Sequence, residues 1–180
     1  MKALVKVPDI SLPRRELEED KSVGCYVMTP SILDACCGAK MFWYDRENPN
    51  VVYMDNRRLR TTLSDGRALI IAPDVVGDFR QMPFKNETFN LVIFDPPHLI
   101  NAGHKSWLAL KYGILGNNWR EDLRKGFAEC FRVLKTNGIL IFKWSEGQIP
   151  LREVLCLAGQ MPLIREQKSK RHWIVFMKTV

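Results

Sequence analysis

"LVIFDPPHL" (residues 91–99) runs four apolar residues straight into an aspartate, two prolines and a histidine. An unbroken apolar run of this length has the signature of a strand buried on both faces of a sheet. Pro96 biases Asp95 toward extended backbone and Pro97 does the same to Pro96, so the chain leaves the sheet along a fixed path. Neither proline has an N–H. The strand therefore ends on a carboxylate, Asp95, beside backbone that offers the Pro96 carbonyl and no donor from either proline.

The pattern recurs on both sides of this stretch. "SILDACC" (31–37), "VVYMD" (51–55), "DVVGDF" (74–79) and "ILIFKW" (139–144) read as further strands, and "PLIREQK" (162–168) with "RHWIVFMKTV" (171–180) predicts a closing antiparallel pair. Apolar strands separated by helix-compatible segments define an α/β fold built on a mostly parallel sheet. The clearest helix spans 119–134, with Leu123, Phe127, Cys130, Phe131 and Leu134 on one face and a stop at Asn137-Gly138. A second follows Pro150 and runs to Gly159. Residues 1–30 read as a peripheral, exposed helical segment, and 99–118 as a loop over the substrate side of the site.

The 180 residues, 46% hydrophobic, suit a single domain over 1–180. No apolar run is long enough to cross a membrane and the opening residues lack a signal-peptide core, so the expected location is the cytoplasm, away from membranes. Five cysteines, two of them adjacent, suit reduced thiols. Cysteines and histidines show no zinc-ligand spacing, so no metal is expected, and no serine-nucleophile constellation is present. A net charge of +7 favours encounter with polyanions, which makes nucleic acid the expected partner.

Ligands of open α/β sheets bind beyond the carboxyl ends of the strands. Asp34 ends the first strand, followed by the small residues Ala35, Cys36, Cys37 and Gly38, which let a ligand approach backbone. Asp55 ends the second and is placed to reach a ribose hydroxyl pair. Asp78-Phe79 suits an adenine, the carboxylate accepting from its amino group and the ring packing beside it. Asp95 and the Pro96 carbonyl then form an acceptor pair for a planar NH2 group. Accepting its hydrogens helps such a nitrogen become tetrahedral as it attacks an electrophile. His98 could stack on the base, relay a proton or only pack.

These residues resemble the class I S-adenosylmethionine-dependent methyltransferases over about 31–144, with the closing strand pair matching that family's reversed last strand. Asp34 to Gly38 are similar to its first motif, Asp55 with Asn56 to its ribose contact, Asp78-Phe79 to its adenine contact, and Asp95-Pro96-Pro97-His98 to the Asp/Asn-Pro-Pro-aromatic motif of amino methyltransferases. Cys36 and Lys40 stand where the family usually has glycine, and His98 where it has Tyr, Phe or Trp. The pattern resembles small stand-alone enzymes of bacteria and their phages. The resemblance implies a Rossmann-like, seven-stranded mostly parallel sheet with an antiparallel C-terminal strand and helices on both faces. It implies S-adenosylmethionine as cofactor and methyl transfer to an exocyclic amine, adenine N6 of DNA or RNA, with Trp107, Tyr112 or Trp144 sharing the stacking with His98. A small-molecule or protein amine substrate remains open, as does a cofactor-binding interaction module without turnover.

Overall fold

A computed structural model describes residues 30–103 and 106–179, so the expected N-terminal helix lies outside the described residues apart from Pro30. Seven strands make one sheet: β1 (Ile32–Asp34), β2 (Val51–Asp55), β5 (Val75–Val76), β6 (Phe89–Phe94), β7 (Leu134–Ser145), β8 (Ile164–Lys168) and β9 (Arg171–Met177), in the order β5-β2-β1-β6-β7-β9-β8. Pairs among the first five are parallel, while β9 runs antiparallel to β7 and to β8. The sheet predicted from the apolar runs is therefore present, with its reversed strand. No helix of the described residues is long and apolar enough to cross a membrane.

One face is packed by α2 (Trp119–Val133) and α3 (Leu151–Leu155). Phe127 of α2 meets Phe142 at 4.8 Å and Phe94 at 5.5 Å between ring centroids, geometry typical of stabilising edge contacts. Gly126 permits this approach. A Cβ there would lie 2.6 Å from Phe94 Cζ and 2.8 Å from Phe79 Cδ2, so any larger residue would push the helix off the sheet.

The other face departs from expectation. Among the described residues the helices implied for both faces are missing from this one, and residues 35–50 cross from β1 to β2 as successive turns. Local side-chain competition accounts for this: Glu47 N–H donates to Asp45 Oδ1 (2.9 Å), Asn50 N–H to Asn48 Oδ1 (3.0 Å), and Pro49 removes a donor. The turns cover the sheet with aromatic rings instead, Phe42 edge-on to Trp173 at 5.7 Å and Trp43 edge-on to Tyr53 at 5.4 Å. Between β2 and β5 the crossover is likewise no helix but a separate hairpin of β3 (Leu59–Thr62) and β4 (Ala68–Ile71) around Asp65-Gly66, with Gly66 at φ +84°. Leu110 of the short helix α1 (Trp107–Tyr112) packs with that hairpin's apolar cluster.

Strand ends also shift. β1 stops at Asp34, so Ala35 to Cys37 already belong to the turn, and the strand expected over 74–79 is reduced to Val75–Val76.

Candidate active site

The order β2-β1-β6 sets three strand ends side by side, bringing Asp55, Asp34 and Asp95 to one edge of the sheet. Beyond them lies a cavity of about 190 Å³. Of the residues expected there, Ala35, Cys36, Cys37, Gly38, Asp55, Asn56, Phe79, Asp95, Pro96, Pro97, His98 and Tyr112 line it. Asp34, Asp78, Trp107 and Trp144 do not.

Each of those four has a physical reason. Asp34 is fully buried behind the turn, where Trp43 Nε1–H donates to Oδ2 at 2.7 Å and Cys36 N–H to Oδ1 at 3.3 Å. Burial pushes its carboxyl up to about 7, with the neighbouring Asp95 and Asp55 charges adding to the shift against the Trp43 and Cys36 hydrogen bonds. Asp78 is turned to Arg80 (2.6 Å), whose hydrogen bonds hold it below the usual carboxylate range, and Arg80 also reaches Asp122 (3.1 Å). The adjoining Phe79 does face the cavity. Trp144 is a core residue, 1% exposed, stacked on Phe142 and donating from Nε1 to the Ile149 carbonyl (3.1 Å), so only an edge reaches toward His98. Trp107 is 42% exposed on α1, apart from the cavity.

The turn after β1 is built for close approach. Gly38 has φ +49° with open space where a Cβ would stand, and its N–H donates to Asp55 Oδ2 at 3.0 Å. Lys40, where a glycine is usual in the resembling family, also takes positive φ (+53°). Its ammonium points away from the cavity, over the Tyr53 ring at 3.8 Å and onto the Arg46 carbonyl at 3.0 Å. The charge is thereby kept out of the turn. Cys36 and Cys37 sit with thiols pushed well above their ordinary range by burial, with the facing carboxylates reinforcing it, so both are neutral.

Asp55 is saturated. Besides Gly38, it accepts from Arg57 N–H (2.9 Å), Nε (3.0 Å) and Nη2 (3.3 Å), and Arg57 Nη1 continues to the Leu110 carbonyl of α1 at 3.1 Å. A carboxylate offers about four lone-pair sites, so hydroxyls reaching Asp55 must displace the Arg57 guanidinium. That side chain is 28% exposed and has room to swing.

At the end of β6, Asp95 is paired with Lys143 of β7. Burial pushes the Asp95 carboxyl up, against the lowering effect of Lys143 and, less, of His98. His98 packs 5.4 Å from the Tyr112 ring, and burial holds its imidazole below the usual histidine range, so it is neutral at pH 7. Sequence reasoning missed both cations. Arg57 follows the ribose-type acid by two residues and gave no separate signal; Lys143 did, since a lysine inside an apolar central strand requires a partner.

No protein-family model matches the chain, and no curated protein does. Among solved structures it is similar to the PH0226 protein of Pyrococcus horikoshii, at 18% identity over 82% of this chain and 81% of that one, with a TM-score of 0.56. It is similar also to a SAM-dependent methyltransferase of Methanosarcina mazei (12% identity, 85% and 94% covered, TM-score 0.53) and to the N-methyltransferase NodS of Bradyrhizobium japonicum (12%, 83% and 85%, TM-score 0.52). With its strand order, reversed strand and strand-end cavity, the chain has the Rossmann-like fold of the class I S-adenosylmethionine-dependent methyltransferases.

Proposed function

We propose that this protein is an S-adenosylmethionine-dependent N-methyltransferase that acts on an exocyclic amino group, adenine N6 of DNA or RNA being the substrate its chemistry fits best. The observation that carries the reading is that Asp95 and the donor-free Pro96-Pro97 backbone face the same cavity as the open Gly38 turn and Asp55. One end of the cavity thus suits a nucleoside cofactor and the other a planar amine.

The residues fit the cofactor. Asp55 is the acceptor for a ribose hydroxyl pair once Arg57 moves, Gly38 leaves room for close backbone approach, and Phe79 supplies an apolar wall for a purine. When bound, S-adenosylmethionine supplies an electrophilic methyl group on a sulfonium. Asp95 accepts one hydrogen of the substrate amine and Pro96 offers its carbonyl to the other, which turns the nitrogen lone pair out of conjugation and toward the methyl. Asp95 is also the nearest acceptor for the proton the amine must shed. A neutral His98 beside Tyr112 offers a flat, uncharged platform for a base.

Two features favour nucleic acid over a small amine. The net charge is +7. The register Ser145↔Arg171 also sets the turn between β8 and β9, with Lys168, Lys170 and Arg171, on the sheet edge that carries Asp95. Among the described residues none of these three cations has a carboxylate within ion-pair distance, so they are free to meet phosphates.

The test is to incubate the protein with methyl-labelled S-adenosylmethionine and duplex DNA, single-stranded DNA, structured RNA or a small-molecule extract, then digest and identify the product. Label on an adenine amino group supports the reading and separates DNA from RNA; label confined to the extract overturns the nucleic-acid assignment. Asp55→Ala is expected to weaken cofactor binding roughly tenfold or more, since hydrogen bonds to a charged acceptor contribute about 1.5–3 kcal/mol each. Calorimetric titration of wild type against the variant measures this, and an unchanged dissociation constant removes Asp55 from the ribose role.

A further inference from the structure

Lys143 is out of place by composition. It lies in β7, between β6 and β9 in the middle of the sheet, within the otherwise apolar run "ILIFKW". The register Phe94↔Phe142 carries the chain one residue further to set Lys143 beside Asp95, on the face opposite α2. The ammonium and the Asp95 carboxylate are in direct contact through Oδ2, with side chains only 23% and 20% exposed. Two aromatic rings flank the ammonium, Phe42 at 5.5 Å and Trp173 at 5.7 Å, and these rings brace each other edge to face. A lysine held on three sides has little freedom to leave.

We infer that Lys143 is a positioning residue for Asp95, occupying one carboxylate oxygen and keeping the other free and charged to accept the hydrogen of the amine. The inference rests on the amine-binding role proposed for Asp95 and adds the group that makes that role possible in a buried site. Three carboxylates crowd this edge. Asp55 has Arg57 and Asp95 has Lys143, whereas Asp34 is bound only by neutral donors.

The polarity of Asp95 depends on that difference. The groups facing it are Lys143 from β7, His98 from its own loop, Asp34 from the end of β1 and Cys36 from the turn that follows. Of these only Lys143 is a fixed cation, because burial keeps His98 neutral. Without the ammonium, burial favours protonation with no cation to oppose it. A protonated Asp95 presents a hydroxyl donor toward an amine that needs an acceptor.

The experiment compares Lys143→Met, which keeps an apolar stem of similar length, with Lys143→Arg, which keeps the charge. For Lys143→Met the acid limb of kcat/KM for methyl transfer is expected to move up by about one pH unit or more, as expected when an opposite charge within 4–6 Å is removed. Lys143→Arg restores the limb, and S-adenosylmethionine affinity stays within about threefold in both, since Lys143 is placed on the amine side of the cavity. A readout that needs no turnover runs alongside: carbon-13 titration of the Asp95 carboxyl, assigned with Asp95→Asn. Its midpoint is expected to rise in Lys143→Met and return in Lys143→Arg. If the midpoint and the profile of Lys143→Met superpose on those of wild type, the inference is overturned. If the midpoint shifts while Asp95→Ala retains full transfer, the pair is real and the amine role of Asp95 falls instead.

Discussion

Asp95→Ala is expected to lower kcat/KM for methyl transfer by about 10²–10⁴-fold, the range attached to a positioned proton acceptor, while S-adenosylmethionine binds within about threefold of wild type. The asymmetry follows from the layout. Asp95 stands at the end of β6 with Pro96 and Pro97, whereas the Gly38 turn and Asp55 belong to β1 and β2 on the other side of the cavity. Alanine removes the acceptor and leaves the cofactor side intact. It also strips Lys143 of its partner, so a loss of activity needs separating from a local collapse. The double variant Asp95→Ala/Lys143→Met removes both charges together. Thermal unfolding should return close to the wild-type midpoint in the double variant while transfer stays absent, because pairing the deletions relieves the stranded ammonium without restoring an acceptor. Initial rates with labelled cofactor and calorimetric binding on the three proteins decide it. Near-normal turnover in Asp95→Ala would remove the residue from the chemistry.

How far such roles can be read ahead of a structure depends on which forces set each element. The runs ending at Asp34, Asp55 and Asp95 are legible because central parallel strands must be apolar on both faces, and the closing pair is legible from its turn and its alternation. The connections are not. Residues 35–50 sit where a helix is the habitual crossover, yet Asp45, Asn48 and Pro49 tie up the backbone locally, and the adjacent aromatics Phe42 and Trp43 find partners on the sheet face. The β3-β4 hairpin carried a readable signal in "TTLSDGRALII", an Asp-Gly turn between β-rich arms. Side-chain direction was the other gap. Trp144 alternates with Lys143 along β7, so one faces the core beneath α2 and the other faces Asp95, and the strand's phase was needed to tell them apart. Asp78 shows the same limit: its neighbour Arg80 captures the carboxylate, leaving Phe79 alone on the cavity wall.

Asp34 gives the largest expected effect on stability, and its sign runs against the usual carboxylate. Its folded value of about 7 lies above the ordinary 3.8. A raised acid holds its proton more tightly in the folded state, so the fold has its full stability from this group below pH ~4 and loses it progressively as pH rises to about 7, with no further loss above. A shift of this size corresponds to on the order of 4 kcal/mol. Asp34→Asn cannot ionise. Its amide oxygen still accepts the Trp43 N–H, while the amide nitrogen meets the Cys36 N–H and adds a cost that does not vary with pH. The difference in unfolding free energy between wild type and Asp34→Asn, followed by chemical denaturation from pH 4 to 8, is therefore expected to move in favour of the variant across pH 4–7 and then level off. Parallel curves would mean that Asp34 is solvated in the folded protein and that the Trp43 contact does not close over it. The same proton bears on function. Ionised Asp34 adds a third negative charge to an edge that already holds Asp55 and Asp95, and a sulfonium-bearing ligand in the adjoining cavity favours that ionised form. Near pH 6.5 S-adenosylmethionine binding should consequently release protons in wild type and release fewer in Asp34→Asn. Titration calorimetry in buffers of different ionisation enthalpy reads that difference directly.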